Sequence, residues 1–287
     1  MTEEASGPTV LRILLGTQLR RLREARGITA QQAARAIRAS ESKISRIELG
    51  RNAFREVDIA DLLSLYGITD VAEREQMLSL ASQANQPGWW HRYQDILPQW
   101  FQAYIGLEES AEFIRSYDSQ FVPGLLQTEE YATAILELGE FSLEETNRLV
   151  VLRKERQRRF TTGGLRLWAM IDEMALRRPV GGPRLMRSQL EYLLEISDRP
   201  GLTLQVTPFP EGASYLAPSS FSILSFAAAD LPDVVYLEHL TSAMYLDKRM
   251  DVDRYTAAIE KVSATSLTPE KTKEFIGGLI NDLEEPS

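Results

Sequence analysis

Through the first 85 residues, apolar positions recur at three- and four-residue steps, the spacing that gathers them on one face of an α-helix. Leu11, Leu14, Leu15, Leu19 and Leu22 predict a first helix over 10–26, with Gly27 as its stop. Residues 1–9 have no such period and contain Gly7 and Pro8, so they read as a loose arm. Thr29 is placed to cap a second helix over 29–36, and Ser40 a third that Gly50 ends. Ala33, Ala34, Ile37, Ile44 and Ile47 give that pair a shared buried face across which the two helices can pack closely. Val57, Ile59, Leu62, Leu63, Leu65 and Tyr66 predict a fourth helix, up to Gly67, and Val71, Met77, Leu78 and Leu80 a fifth over 70–83. The expectation is a five-helix domain over 10–84.

The breaker cluster Asn85-Gln86-Pro87-Gly88 then marks the boundary to a second domain, 85–287. Trp89, Trp90, Tyr93, Trp100, Phe101 and Tyr104 crowd behind it, as a ligand cage or as the seam where domains pack; we read the seam. Residues 105–160 read as mostly helical, interrupted at Phe121-Val122-Pro123-Gly124. Thr128 caps a helix with Tyr131, Ala134, Ile135 and Leu138 on its apolar face, and 144–160 form another that starts acidic and ends RKERQRRF. That basic run is a solvated helix end, with an anionic partner as the alternative. After Gly163-Gly164 short β-rich runs appear at 165–171, 202–206, 221–224 and 234–237. A helical crossover over 186–196 makes the first two parallel, and helices over 249–263 and 269–283 close the chain. The fold class is mainly α with a smaller α+β part: an N-terminal five-helix helix-turn-helix domain, then a helical and small-sheet domain.

Composition narrows the chemistry. Without cysteine the chain has no disulfide, thiolate metal site or cysteine nucleophile, and its two histidines lie far apart. No apolar run suffices to cross a bilayer, and MTEEASGPT lacks the features of a signal peptide, so a cytoplasmic protein with no membrane partner is expected. The net charge of −9 is unevenly placed: residues 1–55 hold 11 Lys and Arg against 5 Asp and Glu, net +6, leaving −15 on the remainder. A basic module on an acidic body suits a tethered DNA-binding domain.

The candidate chemistry sits in TAQQAARAIRASESKISRIELGR. Opposite Ile44 and Ile47 stand Glu41, Ser42, Ser45 and Arg46, on the first turns of a helix that would enter a major groove. Arg46 can pair with a guanine edge, Ser42 with several bases, and Glu41 can accept from a cytosine amino group. Thr29, Gln31, Gln32, Ser40, Lys43, Arg51 and Asn52 are placed for the phosphate backbone. Arg20, Arg21, Arg23 and Arg26 read as solvated surface on the first helix. Over residues 10–80, and in ISRIELGR above all, the chain resembles the repressor-type (Cro/C1, XRE-like) helix-turn-helix family. Ala30 and Ala33 replace larger residues often found there, which predicts looser packing of that helix. An inverted-repeat operator and a homodimer are expected, because one recognition helix covers only a few base pairs.

VPGLLQTEEYA, LRKERQ, IDEMALRRPVGG, MRSQLEYLL and VTPFPEG together resemble the companion domain of WhiJ-like actinobacterial regulators, over about residues 90–280. What this implies is a transcriptional regulator often encoded beside a small partner protein of the BldB-associated type; the size and acidity of the second domain beside so short a reading head lead us to expect that it receives that partner or a small-molecule effector. An antitoxin-like protein that mainly sequesters that partner is the alternative. Catalysis has thin support. Asp172 and Glu173 end one predicted strand and Glu238 and His239 another, a set capable of acid and base work, but no nucleophile elbow, phosphate-binding glycine loop or zinc-protease helix accompanies them. No catalytic residue, metal or cofactor is assigned. Arg177-Arg178-Pro179-Val180-Gly181-Gly182 reads as a basic turn.

Overall fold

The structure, a computed structural model, describes residues 8–50, 53–139, 141–162, 164–209, 219–227 and 231–283. The chain falls into two compact units, one ending at Ser110 and the other beginning at Ala111.

The first unit is all helical: α1 (Pro8–Ala25), α2 (Ala30–Ala36), α3 (Glu41–Glu48), α4 (Glu56–Leu65), α5 (Val71–Ala84), a 3-10 turn (Trp89–Tyr93) and α6 (Gln99–Ser110). The periodic positions named above make its core, with Leu15, Leu19, Ile44, Ile47, Ile59, Leu62, Leu63 and Tyr66 fully buried. Pro8 and Thr9, read as part of the arm, belong to α1. Proline needs no amide partner at the first helical position and its fixed φ suits a helix start, so it opens the helix instead of ending the arm. Residues 1–7 lie outside the described residues.

Two glycines set how closely α1 approaches the end of α3. A Cβ on Gly16 would fall 2.5 Å from the Ile47 carbonyl oxygen, and one on Gly50, whose φ is +63°, 2.6 Å from the Ile13 nitrogen. The looser packing expected from Ala33 is not found, since it is sealed at 0% exposure between its neighbours. Asn85, read as a breaker, is a clamp: its Oδ1 accepts from the Phe54 amide at 2.9 Å and its Nδ2 donates to the Phe54 carbonyl at 2.7 Å. The aromatic stretch follows within this same unit, with Trp90 and Tyr93 each 5% exposed. This compact unit continues to Ser110.

The second unit is built on one six-stranded sheet in the order β3-β2-β1-β4-β5-β6. Its elements are β1 (Phe113–Asp118), α7 (Glu129–Leu136), α8 (Leu143–Thr162), β2 (Arg166–Asp172), α9 (Glu173–Arg177), α10 (Pro183–Ile196), β3 (Leu202–Thr207), β4 (Phe221–Ser225), β5 (Val234–Glu238), β6 (Ala243–Leu246), α11 (Arg249–Thr265) and α12 (Pro269–Asp282). β1, β2 and β3 are parallel, as the crossover predicts, while β4, β5 and β6 pair antiparallel. Met170, Ile223 and Val235 pack under Ile259 and Val262 of α11. The outer edge of β3 is covered: Val206 donates to the Thr272 hydroxyl at 3.0 Å and accepts from the Leu267 amide at 2.8 Å. β1, in a stretch expected to be helical, stands at the centre of the sheet. Its residues FIRSYD alternate, but Arg115 and Ser116 break the apolar signal, and Arg115 is accommodated by Asp233 at 3.0 Å.

Candidate nucleic-acid interface

The helix-turn-helix forms as its caps dictate. Thr29 and Gln32 make a capping box: the Thr29 hydroxyl accepts from the Gln32 amide at 3.2 Å, and Gln32 Oε1 accepts from the Thr29 amide at 2.8 Å. Ser40 caps α3 by accepting from the Lys43 amide at 3.3 Å. On α3, Ile44, Ile47 and Glu48 are buried, whereas Glu41, Ser42, Ser45 and Arg46 are exposed. At 3.6 residues per turn those four cover an arc of about 140°. The sequence-assigned base-reading set is thus one continuous outward face. Thr29, Gln31, Gln32 and Ser40 are also exposed, while Arg51 and Asn52 lie outside the described residues.

Two ion pairs that sequence reasoning missed fix α3 from either side. Arg23 of α1 meets Glu48 with two parallel bonds, Nε to Oε1 at 2.5 Å and Nη2 to Oε2 at 2.9 Å, and a third donor reaches the Ile28 carbonyl at 2.9 Å. Arg23 is therefore not the solvated side chain expected; the bond to Glu48 raises the pKa of its guanidinium above the ordinary value. Lys43 of α3 reaches Asp58 of α4 at 2.6 Å, where the carboxylate is 3% exposed. The ammonium that the sequence assigns to the phosphate backbone thus also ties α3 to α4. The missed signal was a charged residue on an apolar arc. Glu48 follows Ile44 by one turn, and Asp58 adjoins Ile59, so each carboxylate needed an internal partner.

Most cations of this unit are occupied in the same way. Arg12 donates to the Ala84 carbonyl at 2.9 Å, Arg20 to Glu24 at 2.9 Å, Arg74 to Ile68 and Ala60 carbonyls at 3.0 and 3.3 Å, and Arg55 lies 3.9 Å from Asp58. Among the described residues of the unit, the Lys and Arg side chains without a partner are Arg35, Arg38 and Arg46. All three are exposed and all lie in α2, the turn or α3.

Residues 14–77 match a family model described as a helix-turn-helix domain, and residues 101–278 one described as a domain of unknown function, DUF5753. The chain belongs to the DUF5753 family. No curated protein and no solved structure matches it. The matched helix-turn-helix makes the first unit the reading head of a DNA-binding regulator. The DUF5753 match begins inside α6 and takes in the whole sheet.

In the DUF5753 region the carboxylates singled out from sequence serve the fold. Asp172 accepts from the Tyr117 hydroxyl and from the Met174 amide, each at 2.9 Å. Burial first, then that bond to Asp172, raises the Tyr117 pKa above the phenolic range. Glu173 accepts from Arg177 at 2.5 Å and from the Phe209 amide at 2.7 Å. Glu238 accepts from the Tyr236 hydroxyl at 2.9 Å. β2 and β5 stand three places apart in the sheet, about 14 Å at the usual strand spacing, so Asp172 with Glu173 and Glu238 with His239 do not converge. Arg178 stacks over Phe121 with its guanidinium carbon 5.5 Å from the ring centre, which keeps the basic turn structural. Among the described residues no group of three or more His, Asp or Glu is arranged to hold a metal ion, and no helix is long and apolar enough to cross a membrane.

Proposed function

We propose that this protein is a sequence-specific, duplex-DNA-binding transcriptional regulator whose α3 enters the major groove. The observation that carries the reading is the placement of Arg35, Arg38 and Arg46, whose side chains have no partner among the described residues, within the helix-turn-helix. Elsewhere in that unit guanidinium and ammonium groups serve the fold; here they face solvent, and a phosphate backbone is what such groups neutralise. Arg46 and Ser42, four residues apart on the exposed face of α3, read bases together with Glu41 and Ser45. Thr29, Gln31, Gln32 and Ser40 flank them toward phosphates, and Arg51 and Asn52, outside the described residues, are assigned to the backbone from sequence alone. The test is selection from a randomised duplex pool. Arg46→Ala relaxes the base preference at one position by about 1–3 kcal/mol; an unchanged preference would remove Arg46 from the reading.

The regulator acts as a homodimer on an inverted repeat, because one α3 spans too few base pairs for a unique address. The DUF5753 domain receives a small partner protein or small-molecule effector and alters DNA occupancy without catalysis. What supports this is its bulk beside a reading head that is complete by itself, and the structural employment of its candidate acid–base groups. A coupling of about 1–3 kcal/mol changes affinity 5- to 150-fold. DNA affinity measured with and without native cell extract tests it, and an affinity that never responds leaves the domain an assembly role alone.

A further inference from the structure

Three helices of the reading head end in the same way. The amide of the third residue past the helix turns back five residues: Ile28 to the Arg23 carbonyl at 3.1 Å, Ala39 to Ala34 at 2.8 Å, and Ile68 to Leu63 at 2.9 Å. This closure requires a left-handed residue just before that amide. At two of the ends it is glycine, Gly27 with φ +64° and Gly67 with φ +74°. At the third, inside the turn of the helix-turn-helix, it is Arg38, with φ +54°, the one non-glycine residue with positive φ among those described. Side chains with a Cβ resist this conformation, and glycine would serve the turn without strain. Nothing internal to the fold engages the guanidinium: the Arg38 amide donates to the Arg35 carbonyl at 3.2 Å, but its side chain is exposed and has no hydrogen-bond or ion-pair partner among the described residues. It stands two residues ahead of the Ser40 cap and four ahead of Ser42, at the amino end of the helix that carries Ser42 and Arg46.

We infer that Arg38 is a phosphodiester ligand, holding the DNA backbone beside the groove into which α3 inserts. Strain kept at a site where the fold gains nothing from it points to a function outside the fold. A guanidinium on a phosphate gives affinity for any duplex, whereas a base contact gives preference, so Arg38 and Arg46 have separable signatures. The inference rests on the DNA-binding reading above.

The test uses the full chain and three substitutions, with binding followed against salt on selected and on unrelated duplex. Arg38→Gly removes charge and strain together, Arg38→Gln removes the charge and keeps the strain, and Arg38→Lys keeps both. The expected result is that Arg38→Gly and Arg38→Gln each lower the slope of log affinity against log salt by about 0.9, and weaken binding about fivefold at 0.15 M salt on both duplexes. Arg38→Lys retains most of the affinity, and Arg38→Gly melts no lower than the parent. Unchanged salt slopes in Arg38→Gln and Arg38→Gly, with Arg46→Ala still relaxing the base preference, overturn the role of Arg38 and leave the DNA reading standing. Loss of affinity in Arg38→Gly alone assigns a structural role to the side chain and overturns it equally. Absence of any duplex binding by the parent overturns both.

Discussion

Removing the carboxylate of Glu48 leaves the Arg23 guanidinium in place with one internal acceptor, the Ile28 carbonyl, where it had three bonds. Both side chains are largely withdrawn from water, 12% and 8% exposed, so the cation cannot recover its hydration. Breaking such a pair from one side costs about 3–5 kcal/mol, whereas replacing both partners by apolar groups of similar volume is often neutral. Glu48→Leu alone therefore destabilises the α1–α3 contact by that amount, and Arg23→Met with Glu48→Leu restores most of it. Hydrogen–deuterium exchange of the intact protein reports the local change. Amides of α1 and α3 in the single variant exchange roughly 150- to 5,000-fold faster, up to the limit set by global unfolding, and those in the double variant stay near the parent. Equal protection in the single variant and the parent, or equal loss in single and double, refutes the claim that the pair is a mutually dependent buried unit. On the proposed reading, in which α3 enters the groove, DNA affinity follows the same order.

Other outcomes follow from other groups. Lys43→Met leaves the Asp58 carboxylate with Arg55 alone, at 3.9 Å, and lowers the stability of the reading head by about 2–4 kcal/mol in denaturant unfolding; an unaltered midpoint would return Lys43 to a purely external role. The Tyr66 hydroxyl is buried without a hydrogen-bond partner among the described residues, and burial raises its pKa above the ordinary phenolic range. Tyr66→Phe accordingly melts at or above the parent temperature, and a drop of several degrees contradicts the assignment. Burial, with the field of Glu238 adding to it, pushes the Asp118 carboxyl up to about 7. Its folded pKa exceeds the unfolded one, near 3.9, so the stability it contributes is complete below about pH 4 and is lost as pH rises through about 7. Asp118→Asn flattens that window in unfolding measured from pH 4 to 8, and parallel curves for parent and variant exclude the effect.

The reading head was largely legible because its signals are local. Thr29, Ser40 and the glycines at 27, 50 and 67 act on neighbouring amides, and Ile44 with Ile47 declares a face within two turns. The outward set Glu41, Ser42, Ser45 and Arg46 followed from that face alone. What escaped depends on partners far along the chain: Glu48 is explained by Arg23, Lys43 by Asp58, and Asn85 by the Phe54 backbone. β1 was hidden for the same reason, since Arg115 looks unsuited to a central strand until Asp233 is placed beside it. β6 carries four residues of weak alternation and takes its register from β5. Arg38 concealed itself differently: a helix stop was sought in glycine, and this one is arginine.

The order of strands has a consequence for biosynthesis. β1 lies between β2 and β4, yet its pairing with β4 joins Phe113 to Ser225, so the middle of the sheet waits for more than a hundred further residues to be made. Until then the parallel trio β1, β2 and β3 carries a bare inner edge with unpaired amides and carbonyls, the kind of template on which nascent chains adhere to one another. The reading head closes once α5 and α6 have emerged to pack on α1, well before β4 is made, while the sheet is a late, slow event. A chain stopped just before β4 thus pairs a finished DNA reader with a sticky sheet, and should accumulate as aggregate rather than as a soluble, unregulated reader.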